Sequence, residues 1–136
     1  MAAQKGKDIL LKIDNGSGSF QTIAGLRTKR LALNSDSVDI THADSIGRWR
    51  ELLAGAGVRK ASIAGTGIFK DAESDAIMRQ IFFEGNIRDW QIILPAFGLI
   101  QAPFQITSLD YRGEHAGEVT FDLALDSAGP LTFQSM

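Results

Sequence analysis

The sequence predicts a mainly β protein with one α-helix, built as an antiparallel β-sandwich or partly closed barrel. Three observations predict this fold class. Segments along most of the chain alternate apolar and polar residues, which gives a strand one buried face. A single segment, DAESDAIMRQIFFEG, repeats apolar residues at helical spacing. Glycine, asparagine and proline interrupt the segments where turns between short strands are needed.

The first strands occupy the N-terminal half. DILLKID places alternate apolar residues on one face, and NGSG supplies a hairpin turn after it. FQTIAG and LRTKRLALN follow as further strands. VRKASIAGTGIFK is predicted as a long strand weakened by Gly65 and Gly67, because a glycine inside a strand often marks a bulge or a close backbone approach.

The helix is predicted over DAESDAIMRQIFFEG, and it is expected to cover an opening of the sheet. Asp71 is a candidate N-cap, Glu73 suits the first turn, and Gly85 is a natural stop. An apolar stripe is expected to pack on the sheet; its members are Ile77, Met78, Ile81 and Phe82.

The remaining strands lie after the helix. RDWQIILP is stopped by Pro95. PFQITSLDY changes the phase of its alternation near Thr107 and Ser108, which predicts a bulge. EVTFDLALD alternates most cleanly, and the turn Ala128-Gly129-Pro130 separates it from a short last strand, LTF.

Length, composition and charge exclude several classes of protein. The 136 residues suit one domain, and 44% hydrophobic with 22% charged residues is an ordinary globular composition. A formal net charge of -2 gives no basic footprint for tight nucleic-acid binding. The absence of cysteine excludes disulfides and thiolate metal sites. No signal peptide or bilayer-length apolar run is visible, so a cytoplasmic site of synthesis is expected.

No catalytic or cofactor motif is found. His42 with Asp44 and Ser45 lacks the context of a nucleophile elbow. GAGVRKASIAGTG has glycines that precede and interrupt a strand, whereas a phosphate-binding loop needs them between a strand and a helix. NSDSVD lacks the glycine and the closing glutamate of a calcium loop. The sequence therefore predicts no enzyme activity, no metal and no cofactor.

The segment at about 36–59 is the main clue to function. It is longer than the roughly 12–15 residues of ordinary loops, and Trp49 with Leu52 and Leu53 argues against a disordered one. We expect a second protein molecule to bury these three side chains, because tryptophan and arginine are favoured at the centres of interfaces. Arg48, Arg50 and Glu51 would form the polar rim of that contact.

The chain resembles the major tail (tail tube) proteins of long, non-contractile phage tails, and among them those of gene transfer agents. The resemblance rests on VDITHADSIGRWRELLAGAGVRKASIAGTGIF, on the helix after it and on the ending GEVTFDLALDSAGPLTF. It covers nearly the whole chain and implies a single tail-tube domain. Such proteins close into hexameric rings that stack into a hollow tube, through which DNA leaves the capsid.

Several expectations follow from this resemblance. The segment at about 36–59 would contact the adjacent ring, and residues 1–7 would form a mobile arm that orders on assembly. Asp122 and Asp126 are candidates for the face that lines the lumen, because a neutral or acidic lumen lets DNA slide; an outside position fits the alternation equally well. Partners would be further copies, a tape measure, a terminator and a distal tail protein, with DNA in transit and no membrane.

Other functions remain open at this stage. A terminator or adaptor would stop at one ring, and a secretion-type tube protein would share the fold. A small nucleic-acid or carbohydrate binding module would stay monomeric and bind a ligand saturably. The expected location is the tail of a virion or of a gene transfer agent particle, assembled in the producing cell.

Overall fold

A computed structural model describes residues 9–16, 18–113 and 115–135. It confirms the prediction of a mainly antiparallel β protein with one helix among these residues, while the predicted N-terminal arm, residues 1–7, lies outside them. In chain order the elements are β1 (Leu10–Asp14), β2 (Phe20–Thr22), β3 (Leu26–Ser35), β4 (Val38–Asp39), a 3-10 turn (Ile46–Arg48), β5 (Leu52–Leu53), β6 (Arg59–Ile68), α1 (Glu73–Glu84), β7 (Arg88–Leu94), β8 (Gly98–Gly113), β9 (Val119–Ser127) and β10 (Thr132–Ser135).

Strand β8 is shared by two halves of one open sheet. The strand order is β2-β1-β7-β8-β9-β6-β3, and every pairing is antiparallel. The beginning of β8 pairs with β7 on one edge and with β10 on the other. From Phe104 onward that second edge pairs with β9. We call β2-β1-β7-β10 with the start of β8 the first half-sheet, and the rest of β8 with β9-β6-β3 the second half-sheet.

The two half-sheets and the helix enclose one core. Trp90, Phe104 and Phe121 are its largest fully buried side chains. The register of β8 against β9 shifts between Ile106 and Ser108, which confirms the predicted bulge. The other buried apolar members are Leu11, Ile13, Ile23, Ala61, Ile63, Met78, Ile81, Ile92, Ile100, Ala102, Ile106, Leu123 and Leu125.

The N-cap of helix α1 lies one residue later than predicted. The N-cap is Ala72, and Asp71 has a left-handed φ of 54° outside the helix. The capping acceptor is instead Asp75, whose Oδ2 accepts hydrogen bonds from the N–H groups of Ala72 at 3.0 Å and Lys70 at 3.3 Å. Gly85 ends the helix in the left-handed conformation, as predicted.

The four apolar stripe residues of α1 differ in burial. Met78 and Ile81 are buried in the core, and Ile77 packs against it while partly exposed. Phe82 is 42% exposed and contacts Phe83 edge to face. The sheet-facing stripe is therefore narrower than the spacing of apolar residues suggests.

The glycines of β6 allow a close backbone approach. A Cβ atom built on Gly67 would lie 2.4 Å from the carbonyl oxygen of Gly25 and 2.8 Å from Cα of Leu26. The start of β3 pairs with β6 at this point, where the register shifts between Leu26 and Thr28. The sequence-based expectation of a close approach is thus confirmed.

Candidate assembly surfaces

The outward face of the second half-sheet is polar and built from small side chains. Cross-strand partners share a face, so the residues opposite Asp122 and Ala124 belong to it. The hydroxyls of Thr28 and Thr66 lie 2.5 Å apart on this face. Its uncharged members are Thr28, Ala32, Asn34, Ser62, Ala64, Thr66, Ile68, Gln105, Ser108, Thr120 and Ala124.

The charges on this face balance. Asp122 and Asp126, the two predicted lumen residues, both lie on it, together with Asp110, which stands opposite Asp122. Arg112 forms an ion pair with Asp122 and so offsets the repulsion between the two facing carboxylates. The three basic members of the face are Arg30, Lys60 and Arg112, against the three acidic ones.

The polar face carries a shallow depression of about 480 Å³, and its lining includes Thr28, Arg30, Thr66, Ser108 and Asp122. The sequence did not reveal the basic members of this face, because alternation within a strand does not say which strands are neighbours.

Both edges of the second half-sheet are open. Within the described residues, β3 pairs with β6 alone. The last part of β8, after Phe104, pairs with β9 alone. Unpaired edges of this length present rows of backbone N–H and C=O groups to which another chain can add.

The segment between β3 and β6, residues 36–58, is a projecting hairpin, which we call the arm. Its limbs are joined by the short pair β4–β5 and by two further backbone bonds, from Asp36 N–H to the Val58 carbonyl at 2.8 Å and from Ile40 N–H to the Glu51 carbonyl at 2.9 Å. Hydrogen bonds from the side chain and the backbone N–H of Thr41 lower the pKa of the Asp39 carboxyl.

The arm exposes apolar side chains. Trp49 is 77% exposed, and Leu52 and Leu53 are 45% and 50% exposed. The Trp49 ring lies over Gly47, where a Cβ atom would come within 2.9 Å of it. The flanking charged residues, Arg48, Arg50 and Glu51, lie on the same hairpin, so the predicted contact residues share one arm. A contact with an adjacent ring stays a prediction.

His42 takes part in the internal bonding of the arm. Its N–H donates to Ser45 Oγ at 3.0 Å, and its Nδ1 accepts from Asp44 N–H at 3.1 Å. Its Nε2 lies 3.7 Å from a carboxylate oxygen of Glu51. The serine oxygen thus accepts a backbone hydrogen bond from the histidine. Within the described ranges no group of three or more His, Asp or Glu residues could hold a metal ion.

Comparison with known proteins gives concordant matches. The family model of the phage tail tube protein matches residues 3–133. In a tail of an empty GTA particle, obtained with helical refinement and C6 symmetry, the similar chain is 56% identical, with a TM-score of 0.94 over 98% of this chain and 100% of that one. A chain in the virion of a native gene transfer agent particle is 54% identical, with a TM-score of 0.92 over 98% of this chain and 100% of that one.

A more distant structure shares the fold. The SPP1 tail tube protein is 15% identical, with a TM-score of 0.74 over 97% of this chain and 79% of that one. A search among curated proteins finds no match. In the portion that the structure covers, no helix is both long enough and apolar enough to cross a membrane.

Proposed function

The chain belongs to the phage tail tube protein family and is a structural subunit of a particle tail, and we propose that six copies close into a ring. The family match over residues 3–133 supports the assignment as a tail tube subunit. The C6 symmetry of the tail built from a 56% identical chain supports the number six. We also propose that the chain has no enzyme activity, since the similar proteins are tail components.

The open edges of the second half-sheet explain how the ring would close. The half-sheet has four strands, β8, β9, β6 and β3, which alternate in direction. Its two outer strands, β3 and the end of β8, therefore run in opposite directions. When β3 of one copy meets β8 of the next, the new pairing is antiparallel as well, and both edges of the second half-sheet are used.

The closed ring would enclose a channel of useful width. Six copies of a four-stranded half-sheet give 24 strands. With strands about 4.8 Å apart and tilted by about 40°, the backbone diameter is about 45–50 Å. The polar face, with Asp122 and Asp126, would line this channel, which leaves room for side chains and for a DNA duplex in transit.

The arm would join one ring to the next. Exposed Trp49, Leu52 and Leu53 become buried in such a contact, and each large apolar side chain contributes about 1.5–3 kcal/mol when fully buried. Stacking is an open-ended contact, so a modest interaction per copy, repeated around each ring, extends into a tube. Other tail proteins would begin and end that tube.

Electron microscopy of the concentrated protein tests this function. Hollow tubes are expected from the unmodified chain. Trp49→Ala is expected to remain a folded monomer by circular dichroism and to form no tubes, whereas Arg48→Lys in the same arm keeps them. Single rings without stacking would indicate an adaptor, and a monomer at every concentration would contradict the proposal.

A further inference from the structure

We propose that Trp49 of one copy inserts into a pocket at the opposite end of the second half-sheet of a copy in the adjacent ring. The proposal rests on the tube function and names the surface that receives the arm. The pocket has a volume of about 350 Å³. Its apolar lining comes from Phe69, Tyr111, Val119 and Ala76, and charged groups of α1 and the chain before it form its rim.

The apolar lining is preorganised but uncovered. Phe69 and Tyr111 contact edge to face, with ring centroids 5.9 Å apart, and Phe69 N–H donates to the Val119 carbonyl at 2.9 Å. Yet Phe69 is 36% exposed, Tyr111 44% and Val119 42%. A concave cluster of exposed aromatic and aliphatic side chains is typical of a site that another molecule covers.

Strand β6 places the arm and the pocket at opposite ends of each copy. The arm ends where β6 begins, at Arg59, and Phe69 of the pocket follows directly where β6 ends, at Ile68. At a rise of about 3.3 Å per residue, these points are about 30 Å apart. Another exposed aromatic pair, Phe97 and Phe133, lies beside the beginning of β8 and so on the arm side of the sheet.

Helical stacking brings these two ends together. The tail of the 56% identical chain has helical order with C6 symmetry, which repeats every ring in the same orientation. When rings of this chain stack in the same manner, the arm end of each copy faces the pocket end of a copy in the next ring. A head-to-tail contact of this kind needs two different surfaces, and the arm and the pocket are two such surfaces.

The chemistry of the two surfaces is complementary. Trp49 stands between Arg48 and Arg50, whereas the pocket lining holds Asp71 and Asp75 against one cation, Arg79. Asp71 is exposed, and Asp75 is buried at 3% exposed. The negative charge of these two carboxylates favours the approach of the two arginines.

The ionisation of Tyr111 supports this picture of the pocket. Burial, and next the charge of Asp75, raise the pKa of Tyr111, while Arg79 opposes them. The negative potential of Asp75 thus acts inside the pocket, at the site where the indole and the two arginines would arrive.

Cysteine cross-linking tests the contact, because the chain has no cysteine of its own. In assembled tubes of the double variant Arg50→Cys with Ala76→Cys, mild oxidation is expected to link successive rings and to give a ladder of covalent multimers. The control pair Arg50→Cys with Phe133→Cys is expected to give none. Tubes of normal appearance without the first ladder, or with a ladder only from the control, would overturn the assignment.

Filling the pocket gives an independent readout. Ala76 lies on an exposed position of α1, so Ala76→Trp is expected to fold and to occupy the pocket. It should raise the protein concentration needed for tubes by about tenfold or more, as blocking an interface centre does. Ala76→Ser is the matched control. Equal assembly of the two variants contradicts the pocket but leaves the tube function intact, whereas the absence of tubes from the unmodified chain contradicts the function itself.

Discussion

Among single residues, Asp75 connects the start of the helix to the chain that precedes it. One carboxylate oxygen satisfies two backbone N–H groups, those of Lys70 and Ala72, and the other has no partner among the described residues. Ser74 beside it accepts a hydrogen bond from Ala24 N–H at 3.0 Å, so this corner also holds the chain before β3. The corner is polar, buried and dependent on two adjacent side chains.

We therefore expect Asp75→Ala to lower the free energy of unfolding by about 1–2 kcal/mol, because two backbone donors lose their acceptor. Asp75→Asn keeps a carbonyl acceptor and removes the buried charge, so its cost should be less than half as large. Urea denaturation of the monomer measures both. Equal losses from the two substitutions would show that the charge, and not the acceptor, stabilises the helix start.

At the scale of elements, β6 is constrained on both sides and along one face. It pairs with β3 and β9, and Gly67 lets the backbone at Gly25 and Leu26 approach it closely.

Gly67→Val is expected to destabilise the fold by about 1–3 kcal/mol, since a side chain there overlaps backbone atoms that cannot rotate away. Ala64→Val, on the open polar face of the same strand, should change stability by less than about 0.5 kcal/mol. Thermal unfolding of both variants checks this, and an equal effect would refute it.

The sequence predicted those elements whose signals are local. The alternation of β9, the glycine stop of α1 and the bulge of β8 each depend on neighbouring residues, and all three are present. The predicted capping residue, Asp71, was wrong. The backbone N–H at the helix start donates instead to the carboxylate of Asp75, in the first turn. Phe82 is more exposed than its spacing suggests, because the contact surface of α1 is narrow.

The sequence could not predict which surfaces the fold creates. Arg30, Lys60 and Arg112 join Asp122 on one face only through the pairing order of four strands, which no local pattern encodes. The pocket of Phe69, Tyr111 and Val119 likewise draws on three segments that are far apart in the chain. The arm could be predicted because Trp49, Leu52 and Leu53 lie close together in the sequence.

For the whole molecule, the balance of charge on the polar face would decide how the tube interacts with DNA more than the net charge of -2 does. Three basic and three acidic side chains make a wall with no excess of either sign. In the proposed tube, such a wall would neither hold DNA by releasing its counterions nor repel it strongly, which would suit a channel for transit.

The double substitution Asp122→Asn with Asp126→Asn removes two negative charges per copy. A ring of six copies, the number that the C6 symmetry of the similar tail suggests, would therefore become more positive by 12 formal charges. Tubes of this variant are expected to retain a short DNA duplex at about 50 mM salt and to release it at about 200 mM. The control, Glu73→Gln with Glu84→Gln, makes the same change on the helix. Co-sedimentation of labelled duplex with tubes measures the difference, and equal retention would place the two aspartates outside the channel.

The position of β6 has a mechanical consequence. One strand runs from the root of the arm to the edge of the pocket, so in a stacked tube a pulling force would enter each copy at one end of this strand and leave at the other. Because the strand would be tilted by about 40° to the tube axis, most of the load would act along it. Its ladders with β3 and β9 would then resist mainly by shear, with many hydrogen bonds sharing the stress at once. A tube built in this way would withstand tension through its wall, and bending would be confined to the joints between rings.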